Sequence, residues 1–76
     1  MNNNEKLKKV LKKTFTKSNI PKKIENLKLG DLEEWDSLGN FNLLLEVEKE
    51  FNYRFDTTKF SEMKSVKDIK KNLNIK

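Results

Sequence analysis

EEWDSLGNFNLLLEVEKEF, residues 33–51, is the stretch that decides the fold. Wound at about 100° per residue, it gathers Leu43, Leu44, Val47 and Phe51 into one arc about 100° wide, the stripe a helix needs to pack on a core. Leu38, Phe41 and Leu45 gather in a second arc about 120° away, with Glu48 between the arcs and Asn42, Lys49 and Glu46 beyond. Asp36 or Ser37 can cap the first amides, and the nearby acids complement the positive end of the helix dipole. The expectation is a helix from Ser37 to Phe51. One apolar stripe is enough to join a bundle. The second is either covered by a neighbouring loop or short helix, or it is a patch that faces a partner.

Working outward, Leu7, Val10, Leu11 and Phe15 fall at i, i+3, i+4 and i+8, with Lys8, Lys9, Lys12 and Lys13 on the other sides. That spacing predicts a helix over residues 4–17. A basic amphipathic helix can lie on an anionic membrane, but four apolar residues of this size suit packing in a bundle better. Pro21 disfavours helical geometry at Ile20, and Ile24, Leu27, Leu29 and Leu32 then stand isolated among charges and Gly30, as in a long connecting loop. A short helix is expected over Thr57–Glu62. Ser65 and Asp68 have capping-box spacing with an acid in place of the usual Glu or Gln, and Val66, Ile69 and Leu73 repeat at helical spacing, which predicts a last helix over 66–74. No stretch alternates in twos, so the fold class expected is all-α: a small four-helix bundle, one domain over 1–76.

The chain has 76 residues, a net charge of +5, no Cys and no His. A domain of this size buries only about 60% of its unfolded surface, which leaves little room for an internal active site. Without Cys or His the usual nucleophilic thiol, general base and commonest metal ligand are missing, so an enzyme is not expected. No apolar run approaches the length of a membrane span, and the first residues lack the pattern of a leader, so a cytoplasmic protein is expected, acting as a monomer. The charge is unevenly placed: +7 over residues 1–28, −6 over 29–50 and +4 over 51–76. The middle third thus carries its own sign. The Lys and Asn richness behind the positive ends can arise from the base composition of a genome.

A Ser after Asp at a helix start is most often a cap. With no His to deprotonate it and no Gly-x-Ser-x-Gly elbow, Ser37 is not a hydrolase nucleophile. It remains a candidate for modification by another enzyme, since a phosphate ester there would sit over free backbone amides at the positive end of the dipole.

The stretch Asp36-Ser37-Leu38-Gly39, the run from Leu43 to Phe51, and the closing Ser65-Val66-Lys67-Asp68-Ile69 together resemble the acyl carrier proteins. The similarity covers residues 5–74. It implies a four-helix bundle whose second helix is the recognition helix. It implies that Ser37, flanked by Asp36 and Leu38, receives 4′-phosphopantetheine from coenzyme A through a separate magnesium-dependent phosphopantetheinyl transferase. It implies that acyl intermediates of lipid, polyketide or related biosynthesis ride on that arm as thioesters, passed between acyl-loading and acyl-transferring enzymes. Under the resemblance, Asp31, Glu33, Glu34, Asp36, Glu46, Glu48 and Glu50 steer basic partner surfaces, and Leu38, Phe41 and Leu45 supply the apolar contacts.

Carriers of general fatty-acid synthesis commonly have an acid directly after Asp-Ser-Leu, where this chain has Gly39. Asn42 and Lys49 also stand where acids are common. With Trp35 before Asp36, the resemblance favours a specialised carrier, including those that hold an aminoacyl or peptidyl group. Two readings from other classes stand beside it. One is a basic helical nucleic-acid binder, disfavoured because Arg54 is the only Arg. The other is an unmodified interaction domain.

Overall fold

The computed structural model describes residues 2–75. It contains three α-helices, α1 (Asn3–Thr14), α2 (Ser37–Phe51) and α3 (Val66–Leu73), with a 3₁₀ helix (Thr57–Glu62) between α2 and α3. The fold is all-α, and among the described residues no strand forms. An isolated antiparallel bridge joins Lys28 to Ser65. In it the Leu29 amide donates to the Lys64 carbonyl at 2.7 Å and the Val66 amide to the Leu27 carbonyl at 3.0 Å, which ties the long α1–α2 loop to the entry of α3.

The bounds of α2 and of the 3₁₀ helix are those the sequence predicts; α1 and α3 are shorter. α1 stops at Thr14 because Phe15 leaves helical geometry (φ −109°, ψ 70°) while its amide still donates to the Leu11 carbonyl. Beyond it the Glu34 carboxylate accepts from the Lys17 amide (2.7 Å) and the Ser18 hydroxyl (3.1 Å), offering the chain partners that a further helical turn would forgo. α3 stops at Leu73 because Asn74 turns left-handed (φ 60°), a conformation Asn tolerates better than most residues. Each helix start is capped by a side chain: Asn2 to the Glu5 amide, Asp36 to the Gly39 amide, Ser65 to the Asp68 amide. Asp68 reaches back, to the Lys64 amide rather than the Ser65 amide, so the box at α3 is displaced by one residue.

α1 and α2 run antiparallel, as Lys9 pairing with Glu50 (3.9 Å) and Lys13 with Glu46 (3.5 Å) shows. Such surface pairs contribute at most about 1 kcal/mol each. The fold rests on what lies beneath them. Leu7, Val10, Leu11 and Phe15 of the first segment, Leu43, Leu44 and Val47 of α2, and Val66, Ile69 and Leu73 of α3 are all buried, as the periodicity predicts. Phe51 is only half-buried, with the Lys6 ammonium 5.5 Å from its ring centroid. Ile24, Phe55 and Met63 complete the core from the connecting segments.

Two further buried residues link these layers. The Trp35 indole stacks on Phe15 with ring centroids 5.7 Å apart. Its Nε1 donates to Asn40 Oδ1 at 2.9 Å, and Asn40 Nδ2 donates to the Met63 carbonyl at 2.8 Å. One buried amide therefore joins the α1–α2 loop, α2 and the segment before α3.

Near the start of α1, Asn4 Nδ2 donates to Glu25 Oε1 at 2.8 Å. A backbone amide and then this side-chain amide hold the Glu25 carboxyl below its ordinary range. A group whose folded value is depressed adds stability above the unfolded value and loses it as pH falls through the folded one. An NMR titration should place the Glu25 midpoint below that of an unstructured glutamate, and Asn4→Ala should move it upward; an unmoved midpoint would exclude the Asn4 contribution.

Candidate functional site at the start of α2

Ser37 is the first residue of the fifteen-residue α2, and it is exposed. The capping is done by its neighbour: Asp36 Oδ1 accepts from the Gly39 amide at 2.8 Å, which leaves the Ser37 hydroxyl to solvent. The first amides of α2 point outward at the positive end of the helix. The position is held from below. Trp35 is inserted into the core one residue before the cap. Gly39 lies flat against the preceding loop, where a Cβ would collide with the Glu34 carbonyl oxygen and come within 3.2 Å of the Phe15 ring. An exposed hydroxyl is thus fixed to the surface by a buried indole on one side and a tight backbone crossing on the other.

Beside Ser37 lies a cleft of 400 Å³ between α2, the loop and the 3₁₀ helix. Leu29, Phe41, Leu44 and Phe60 form its apolar walls, and Ser37 and Lys64 line it as well. A larger groove, 670 Å³, follows the other exposed side of α2 and mixes Lys13, Lys49 and Arg54 with Glu46 and Glu48.

The second stripe of α2 lies at the surface. Leu38 is 70% exposed, Phe41 49% and Leu45 37%. Coverage by the loop or the 3₁₀ helix, one of the two expectations, is partial: the Phe41 ring meets Phe60 with centroids 5.4 Å apart. Phe41→Ala should therefore cost about 1–2 kcal/mol in a denaturation experiment, the ring contact plus the burial of half a side chain. A loss near the 3–5 kcal/mol of a core Phe would place the ring inside.

The acids are less uniform than their sequence suggests. Asp31, Glu33 and Asp36 are exposed around Ser37. Asp31 accepts from the Lys28 amide, closing a turn, and Asp36 is the cap. Glu34 holds the end of the α1 segment, and Glu48 Oε2 accepts from the Phe55 amide at 2.7 Å, fastening the exit of α2. Glu46 and Glu50 meet lysines of α1. Four of the seven acids, Glu34, Glu46, Glu48 and Glu50, therefore meet partners on other segments and are half-buried, and Asp31, Glu33 and Asp36 are the exposed ones.

Asn40 and Trp35 are absent from the set of residues the sequence singles out for packing. Asn40 was detectable: it lies one turn before Leu43 and Leu44, so the core arc of α2 extended backward ends on it. Trp35 sits in an irregular segment, where no period marks it.

The residues at this end fit a serine-linked phosphodiester. The residue is exposed, the adjacent amides of a fifteen-residue helix are directed outward, and Ser37 itself lines the cleft with apolar walls. Comparison with protein-family models finds no match, and neither curated proteins nor solved structures give a significant one.

Proposed function

We propose that this domain is a carrier protein of the acyl carrier type, modified at Ser37 with 4′-phosphopantetheine and serving a specialised pathway. The observation that carries the proposal is the exposed Ser37 hydroxyl at the head of α2, relieved of capping by Asp36 and bordered by an apolar cleft. When attached, the group supplies the thiol that a Cys-free chain lacks, and with it the capacity to carry acyl or aminoacyl cargo as a thioester. The protein's own part is positional. Asp36 and the buried Trp35 hold Ser37 outward; the amides of Ser37 and Leu38 face a phosphate bound there; Leu29, Phe41, Leu44 and Phe60 offer cargo a surface out of water. Asp31, Glu33 and Asp36 give the transferase and the acyl-handling enzymes a negative target, and Leu38, Phe41 and Leu45 give them an apolar one. One departure from general fatty-acid carriers has a local reason here: at position 39 an acid has no room above the Glu34 carbonyl.

Incubation with coenzyme A, magnesium and a phosphopantetheinyl transferase of broad specificity should raise the intact mass by about 340 Da. Ser37→Ala should abolish the shift. An unmodified wild-type protein, despite correct folding and a transferase active on a control carrier, would overturn the proposal in favour of an unmodified interaction domain.

A further inference from the structure

The five lysines of α1 fall on two stripes. Lys6, Lys9 and Lys13 face α2, where the Phe51 ring, Glu50 and Glu46 meet them. Lys8 and Lys12, one turn apart, lie on the other side, and the long loop adds to them. Lys8 Nζ donates to the backbone carbonyl of Lys22 at 3.3 Å, and one turn earlier Asn4 holds Glu25. That contact brings the backbone of the Lys22–Lys23 segment to the Lys8 side of α1. Residues 1–30 hold nine lysines against two acids, Glu5, which shares the helical stripe of Lys8 and Lys12, and Glu25, which stays charged beside Lys23. Lysines outnumber acids on this face, whereas Glu50 and Glu46 of α2 meet Lys9 and Lys13 on the opposite stripe. Lys12, Lys22 and Lys23 are exposed, and Lys8 is half-buried.

Two features define what such a face can hold. Its cations are all lysines, compact point charges without the planar fork that reads bases or grips a phosphate bidentately. And it offers no apolar anchor, because Leu7, Val10 and Leu11 are at most 2% exposed. Insertion of α1 into a bilayer is therefore excluded in the folded state, whereas attraction to a sheet of mobile anionic headgroups, about 1 kcal/mol for each lysine near the surface, needs neither a fork nor an anchor.

We propose that the face formed by Lys8, Lys12, Lys22 and Lys23 rests on the surface of an anionic lipid bilayer. The orientation follows from α2. Glu46 and Glu50, which meet α1, lie about half a turn around the helix from Ser37 and Phe41 at about 100° per residue. A domain seated on α1 thus keeps Ser37 and its cleft free. This inference does not depend on modification of Ser37.

Sedimentation with phosphatidylcholine vesicles, with and without phosphatidylglycerol, tests it on the intact chain. Binding is expected only to the mixed vesicles and should weaken as salt is raised. The triple variant Lys12→Gln, Lys22→Gln, Lys23→Gln should lower partitioning by about ten-fold or more. The charge-matched triple Lys49→Gln, Arg54→Gln, Lys59→Gln should stay within about two-fold of wild type, since it leaves the face intact. All six positions are exposed, and circular dichroism would verify that both variants fold. No binding to mixed vesicles, equal losses in both triples, or tighter binding to duplex DNA with the same dependence on Lys12, Lys22 and Lys23 would each overturn the proposal.

Discussion

Asn40→Leu should lower the free energy of unfolding by about 2–5 kcal/mol, although it places a larger apolar side chain on the buried face of an amphipathic helix. The change strands two buried groups, the Trp35 indole N–H and the Met63 carbonyl, each costing about 1–3 kcal/mol when left without a partner. A chain of 76 residues has only about 4–11 kcal/mol to lose. Urea denaturation should therefore show a midpoint far below that of wild type. Asn40→Asp separates the two bonds. It keeps an acceptor for the indole but loses the donor to Met63, so it should be destabilised near neutral pH. It should recover as acid protonates the carboxyl, whose folded-state value burial raises. A loss below about 1 kcal/mol in Asn40→Leu would mean that water satisfies both groups.

Gly39→Ala should be destabilising by about 1–3 kcal/mol, reversing the sign that helix propensity alone predicts. Glycine within a helix is ordinarily worse than alanine by about 0.5–1 kcal/mol. Here the added methyl would meet a backbone oxygen, that of Glu34, which cannot rotate aside as a side chain would. To make room, the loop carrying Trp35 must lift from α2 or the first turn of α2 must unwind. Gly39→Glu should be worse than Gly39→Ala, although it brings the sequence closer to the pattern of general fatty-acid carriers. A stability gain in Gly39→Ala would show that the loop is not held against α2.

Periodicity reaches Asn40 but says nothing of its hydrogen bonds, and it gives no sign of the backbone crossing at Gly39. The helices were legible because their apolar residues recur at 3.6-residue spacing, and every residue placed on a core face in α1, α2 and α3 is buried except the half-covered Phe51. The second stripe of Leu38, Phe41 and Leu45 was legible for the same reason, although the spacing left open whether a neighbouring segment covers it. The end of α1 was not, since it depends on the Glu34 carboxylate arriving from a segment nineteen positions beyond Phe15. Nor was the internal use of Glu34 and Glu48, because a carboxylate bound to a backbone amide looks, in sequence, the same as one facing water. The position of Ser37 at the head of α2 was readable from Asp36 and the arc that follows it; the cleft was not, because its walls come from three separate segments.

Trp35 is the only tryptophan in the chain, fully enclosed and two residues from the hydroxyl on which the proposed modification depends. The protein therefore contains its own optical gauge. Its emission should be blue-shifted in the native state, move to the red on unfolding, and register disturbances at the head of α2 without any attached dye. Titrating ligands or lipids against that signal would distinguish events near Ser37 from events on the far face of α1.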